Sequence, residues 1–106
     1  LGRYYEAEPL YRRALAIAEK NFGPYHQHVA SSLNNLAGVL VGLAQYAEAE
    51  QLLIRVHEIT EKNYGVSNPM TNLSFQNLAE FYEGVGRSED AEKMRQCSHG
   101  SCSEEK

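Results

Sequence analysis

The side chains best equipped for chemistry are four histidines, two cysteines and a set of closely spaced carboxylates. His26 and His28 stand two residues apart, with His57 further along, and imidazole is a common zinc ligand. A His-x-His pair holds a metal only when one or two further ligands converge on it. His57 falls on a different helix with nothing to bring it there, so the pair is read as loop polarity and no metal site is expected. Cys97-Ser98-His99-Gly100-Ser101-Cys102 sets two thiols and an imidazole close together. Structural zinc takes four rigidly held ligands, and this stretch offers fewer, so two surface thiols are expected there. A local disulfide would need an oxidising compartment. Nucleophilic catalysis requires a Ser or Cys, a base and an orienting group in one pocket, and nothing in the sequence arranges them. There is no Gly-rich phosphate loop, no GxSxG and no HExxH. Glu6 and Glu8, like Glu48 and Glu50, lie two residues apart on helical stretches, point apart and read as solvated faces. Neither an enzyme nor a cofactor is expected.

Composition agrees with that reading. The chain has 106 residues, 42% hydrophobic and 23% charged, within the range of an ordinary globular domain and against wholesale disorder. Fourteen acidic residues against ten basic ones give a formal charge of −4, with no clustered Lys and Arg to attract nucleic-acid phosphates. No apolar run approaches the roughly 20 residues needed to span a bilayer, so no membrane insertion is expected. Two cysteines are too few to staple a secreted scaffold, and a cytoplasmic location is expected. The start at Leu1-Gly2-Arg3 resembles neither a signal peptide nor a transit peptide.

The elements that must position any site come from a repeat. Shifted by 42 positions, the sequence falls on top of itself: Tyr4 meets Tyr46, Glu6-Ala7-Glu8 meets Glu48-Ala49-Glu50, and Glu19-Lys20-Asn21 meets Glu61-Lys62-Asn63. Further on, Asn35-Leu36-Ala37 meets Asn77-Leu78-Ala79, and Ala49-Glu50 meets Ala91-Glu92. About 20 of the 64 aligned pairs are identical, which marks a true internal repeat. Apolar residues recur at helical spacing in Ala7, Leu10, Tyr11, Ala14, Ile17 and Ala18, and again in Ala49, Leu52, Leu53, Val56 and Ile59. Gly23 and Gly65 follow, where a helix C-terminus favours a residue tolerant of positive φ. Asn68-Pro69 reads as a cap and a first helical residue, with His26-Gln27 a weaker signal at the same place. From there Val29, Leu33, Leu36, Ala37 and Leu40 make one stripe, and Leu73, Leu78, Ala79 and Tyr82 the next. About three residues separate each such helix from the one after it, which forces antiparallel neighbours. Pro9 fits poorly: either the first helix starts later than Tyr4 or it is kinked at Tyr5, and the register of Ala7 with Ala49 and Ala91 favours the kink.

The pattern resembles tetratricopeptide repeats, arrays of helix–turn–helix units. Ala37 and Ala79 match the family's small position in the first helix of each pair, and Leu40 and Tyr82 its bulky position three residues on. Gly2, Ala44 and Gly86 match the turn glycine, and Ala7, Ala49 and Ala91 the small position of the second helix. The 42-residue period, with Tyr46-Ala47-Glu48-Ala49-Glu50 and Ile59-Thr60-Glu61-Lys62-Asn63-Tyr64-Gly65, resembles the kinesin light chain type. The resemblance implies an all-α fold: a right-handed α-α superhelix, or solenoid, of antiparallel helix pairs with about five helices. It divides residues 1–96 into the second helix of one repeat (4–22), a full pair (27–64) and a last pair (69–97), followed by a flexible Ser/Glu tail (97–106). A first helix missing before Tyr4 and a polar tail after Met94 predict an array cut at one end and naturally finished at the other.

Such arrays present an extended concave wall made by the first helices of the pairs. With Ala37 and Ala79 packed inward, helical geometry turns Ser31, Asn34, Asn35 and Gly38 toward that wall, and Leu73, Gln76, Asn77 and Glu80 in the next repeat. Asn and Gln offer both donor and acceptor, which suits an extended peptide backbone, and Gly38 leaves room for a side chain. The resemblance implies that Asn35 and Asn77 hold a bound main chain; alternatively these amides bond one another between helices. With no Lys or Arg among these positions, capture of a C-terminal carboxylate is not expected. The expected function is a non-catalytic scaffold for a peptide or protein partner. The alternative is structural: the unpartnered helix bearing Tyr4, Tyr5, Leu10 and Tyr11 packs on a neighbouring repeat or on a second copy.

Overall fold

In the computed structural model, which describes residues 2–98, five α-helices follow one another and no strand occurs among the described residues. They are α1 (Gly2–Phe22), α2 (Gln27–Gly42), α3 (Tyr46–Tyr64), α4 (Pro69–Gly84) and α5 (Ser88–Ser98). The chain divides after Ile59 into two compact units.

The joints between helices are of two kinds, and both recur at the repeat interval. At the first kind, Gly23 and Gly65 take φ of 84° and 85°, and their N–H groups donate to the carbonyls of Glu19 and Glu61 at 3.0 and 2.8 Å. A side chain at positive φ is strained, so glycine belongs there. At the second kind, the chain closes α2 and α4 with Schellman motifs. The Gln45 N–H donates to Leu40 O at 2.8 Å and the Arg87 N–H to Tyr82 O at 2.7 Å, around Ala44 (φ 62°) and Gly86 (φ 82°). Gln45 and Arg87 then accept the first bonds of α3 and α5, from the N–H groups of Ala49 and Ala91. The turn is therefore compressed into three residues, 43–45 and 85–87.

In the first unit α1 packs on α2. The core joins Ala18 of α1, Val29, Ala30 and Leu33 of α2, and Ile59 of α3, with Leu15, Leu52 and Val56 packed against it. Each large side chain buried this fully contributes about 1.5–3 kcal/mol. Tyr4 crosses the end of α2 so closely that a Cβ on Gly42 would fall 2.5 Å from the Cζ of its ring. Two charged contacts fix the direction of α1 against α3. Arg12 pairs with Glu48, and Glu19 with Arg55, at 2.9 and 3.0 Å. Both partners advance in the same sense along their helices, so α1 and α3 run parallel within this unit.

In the second unit α4 packs on α5, with Thr71, Ser74, Phe75, Leu78, Ala79 and Tyr82 of α4 and Ala91 of α5 buried. Thr71 stands where the first unit has Val29, and its hydroxyl donates to the Gly65 carbonyl, which satisfies a polar group in a fully buried position.

α1 begins at Gly2, two residues ahead of the expected Tyr4, and continues through Pro9, so of the two alternatives at the proline the later start is set aside. Proline there removes the bond that a residue-9 N–H would donate to the Tyr5 carbonyl, and its ring faces solvent. α5 runs to Ser98, one residue beyond the expected end of the last pair at 97, so Ser98 is helical rather than part of a tail. Cys97 is not a surface thiol: the three-residue steps from Ala91 through Met94 carry it along the inward side of α5, where it is 9% exposed, and it is not a free cysteine. Residues 99–106, including His99 and Cys102, lie outside the described residues.

Candidate functional site

The periodicity that buries one side of α2 and α4 determines what the other side offers. In α2, Val29, Ala30, Leu33, Leu36, Ala37, Val39 and Leu40 are buried. Ser31, Asn34, Asn35 and Gly38 are all exposed. Their spacing of three, four and seven residues places them on one side of the helix, over about 10 Å of its length. In α4 the small residue Ala79 is likewise buried, and Leu73, Gln76, Asn77 and Glu80 are exposed at the same spacing. Each unit thus brings its own four residues together on one helix face.

Both helices are held at their N-termini by a side-chain cap. The Asn68 Oδ1 accepts from the Met70 N–H at 2.8 Å, with Pro69 at the first helical position. In the first unit the Nδ1 of His26 accepts from the His28 N–H at 3.0 Å. Phe22 stacks on His26 with ring centroids 4.4 Å apart, and His28 stands edge-on to His26 at 5.0 Å. His26 and His28 are therefore packed into a cap and an aromatic cluster. No group of three or more His, Cys, Asp or Glu side chains suited to a metal ion occurs among the described residues.

The two exposed faces are nearly devoid of charge. The α2 face carries none, and the α4 face carries Glu80. Glu83, one turn further, is engaged by Arg95 at 2.8 Å. Among the described residues, the amides of Asn34 and Asn35 form no side-chain hydrogen bond within the first unit, nor those of Gln76 and Asn77 within the second. Helix-to-helix bonding of these amides inside a unit is thus not observed. Gly38 has no heavy atom within 4 Å of where a Cβ would sit, so the α2 face is open at that point.

Two further residues extend these faces and escaped the sequence reading. Val41 lies three residues beyond Gly38 and Met70 three before Leu73, and both are exposed. Continuing the same three-residue step by one place in each direction would have found them. Also missed was a charge cluster away from these faces. Arg12 donates to both carboxylate oxygens of Glu48, at 2.9 and 3.0 Å, and to Glu8 at 2.9 Å. The hydrogen bond from Arg12 holds the Glu48 carboxyl below the usual carboxylate range, and bonding to Glu48 and then Glu8 raises the guanidinium further. Glu8 and Glu48 are thus bound to one guanidinium, where the spacing alone suggested solvated faces. The residue equivalent to Arg12 in the next copy is Ile54, so the repeat gives no second instance to reveal the cluster.

A family model described as tetratricopeptide repeat matches residues 1–62 and, in an overlapping second match, residues 28–102. A search of curated proteins returned no match.

Proposed function

The chain belongs to the tetratricopeptide repeat family, and from that premise we propose that it is a non-catalytic scaffold whose α2 and α4 faces each take a stretch of extended polypeptide. Repeats of this family are in general modules of protein–protein interaction. The observation that carries the reading is the state of the four amides. Asn34, Asn35, Gln76 and Asn77 sit at matched positions of successive copies, exposed and unengaged within their own units. An extended main chain presents alternating N–H and C=O groups, and a side-chain amide can answer either one. The near absence of charge on these faces directs recognition to backbone and apolar contacts, with Leu73 and Met70 offering the apolar part on α4. The 42-residue period supports placement with the kinesin light chain type of repeat, and protein partners without nucleic acid suit the acidic balance of the chain.

Peptide display tests this. Panning a random library on the chain is expected to yield binders that the double variant Asn35→Ala/Asn77→Ala loses by tenfold or more, with helicity by circular dichroism unchanged. Binders that hold equally well to the double variant would refute the assignment.

A further inference from the structure

We infer that the α4 face selects peptides that carry a large apolar side chain and, four residues away, a Lys or Arg. This rests on the reading of that face as a site for extended polypeptide. The repeat supplies the comparison. Asn34 and Asn35 of α2 return in α4 as Gln76 and Asn77, so both copies keep side-chain amides at the middle of the face. The flanking positions change: Ser31 and Gly38 of α2 become Leu73 and Glu80 of α4. A backbone is the same in every peptide and side chains are not. The constant pair therefore suits the main chain, and the varied pair suits what the main chain carries. Leu73 is 48% exposed, and Met70, one turn before it, 43%. Glu80 is exposed as well, and among the described residues of its unit no cation answers it. Arg95 is taken by Glu83 at 2.8 Å, and Arg87 by Asp90 at 2.8 Å while its guanidinium lies over the Tyr82 ring. The complement of a lone carboxylate with no internal counter-ion is a cation.

The spacing follows from the rise of the two chains. Leu73 and Met70 lie seven and ten residues before Glu80, about 10 and 15 Å along α4. An extended peptide advances about 3.3 Å per residue and turns alternate side chains to one face, so residues four apart cover about 13 Å on the same side. An apolar side chain seated between Met70 and Leu73 then sets a cation against Glu80, with the intervening main chain beside Gln76 and Asn77. Because an amide both donates and accepts, either chain direction is served. The occupant is a partner polypeptide. Among the described residues, stretches of this chain outside the helices are at most four residues long, too short to lie along α4. Residues 99–106 hold no Leu, Ile, Val, Met, Phe or Tyr to supply the apolar half. A second copy brings only the same helices and the same short joints.

The probe is a random peptide library panned in parallel on the intact chain, on Glu80→Lys and on Leu73→Ser. Both side chains are exposed, so helicity should be kept. Peptides retained by the intact chain are expected to pair an apolar residue with Lys or Arg four positions away. Glu80→Lys should turn that preference to Asp or Glu, and Leu73→Ser should remove the apolar one. For a synthetic peptide made from a retained sequence, replacing its Lys by Gln should weaken binding about three- to fivefold, what one exposed ion pair supplies, and should change nothing in Glu80→Gln. A preference that follows residue 80 in this way supports the proposal, whatever Asn35→Ala/Asn77→Ala does. Peptides lost in that double variant but without the paired signature overturn this proposal and leave the preceding one standing. No retained peptide overturns both. Lys enriched at every position and indifferent to Glu80→Lys overturns the proposal as general attraction to an acidic chain. A molecular mass that rises with concentration and reverts in Glu80→Lys overturns it in favour of a second copy. Where residues precede Leu1, the chain carrying them should bind the same peptide; loss of binding there overturns the proposal in favour of a segment in cis.

Discussion

His26 and Asn68 do the same job at the same place in successive copies, and they do it unequally well. Asn is among the best N-cap residues, and imidazole is not, although its Nδ1 reaches the His28 N–H. His26→Asn is therefore expected to stabilise the chain by about 0.5–1 kcal/mol, read as a shift in the urea midpoint. The start of α2 was legible only faintly because a histidine acts as a cap only in one tautomer and ring orientation, neither of which a sequence records. Arg12 poses a different problem. Its partners Glu8 and Glu48 lie one turn and 36 residues away, and only the parallel packing of α1 and α3 brings the second one near. Because Glu48 is held below its ordinary range, the pair contributes above the unfolded carboxylate value and is lost as pH falls through the folded one. These side chains are about two-fifths exposed, so the contribution is at most about 1 kcal/mol. Acid titration of stability below about pH 4.5 should show that loss, and Arg12→Ala should flatten it.

At the scale of elements, periodicity was a good guide wherever both copies obeyed it. The stripes of α2 and α4 and the glycines after α1 and α3 are where their spacing puts them, because burial and positive φ are set within a few residues of chain. At Pro9 it stood against a local rule that argues for a late start or a kink, and the helix runs through the proline. Tertiary contacts explain the persistence: Tyr4 rests on Gly42 on one side of the proline, and Ala18 and Leu15 are packed into the core on the other. The copy in α3 has Gln51 at that place. Pro9→Gln should restore the missing backbone bond and stabilise the chain by about 2 kcal/mol, measurable as a higher melting temperature and slower amide exchange near Tyr5. Cys97 was misread for the opposite reason. Its inward position depends on how far α5 continues, and the end of a short polar helix carries little signal.

Across the whole molecule, stability and the proposed binding meet at Gly38. An exposed glycine inside a helix costs roughly 0.5–1 kcal/mol relative to alanine, and nothing within 4 Å of its absent Cβ requires the space. Gly38→Ala should therefore raise the melting temperature by about 4–8 °C per kcal/mol gained. The same methyl should weaken peptides selected on the unaltered chain, and unchanged peptide affinity would show that the bare backbone there has no part in recognition. The fold class was legible because the sequence repeats, and two copies of a pattern test each other. The candidate site was legible only as exposed faces, since a helix announces which side is buried but not what will lie on the side left out.

The two Schellman closures, around Ala44 and Gly86, have one more consequence. Because they sit 42 residues apart with the same bonds, a splice that joins one to the chain following the other reproduces a native junction on both sides of the cut. Genes can thus lengthen or shorten this protein by one module through simple unequal crossing-over, and each daughter inherits joints that already fold.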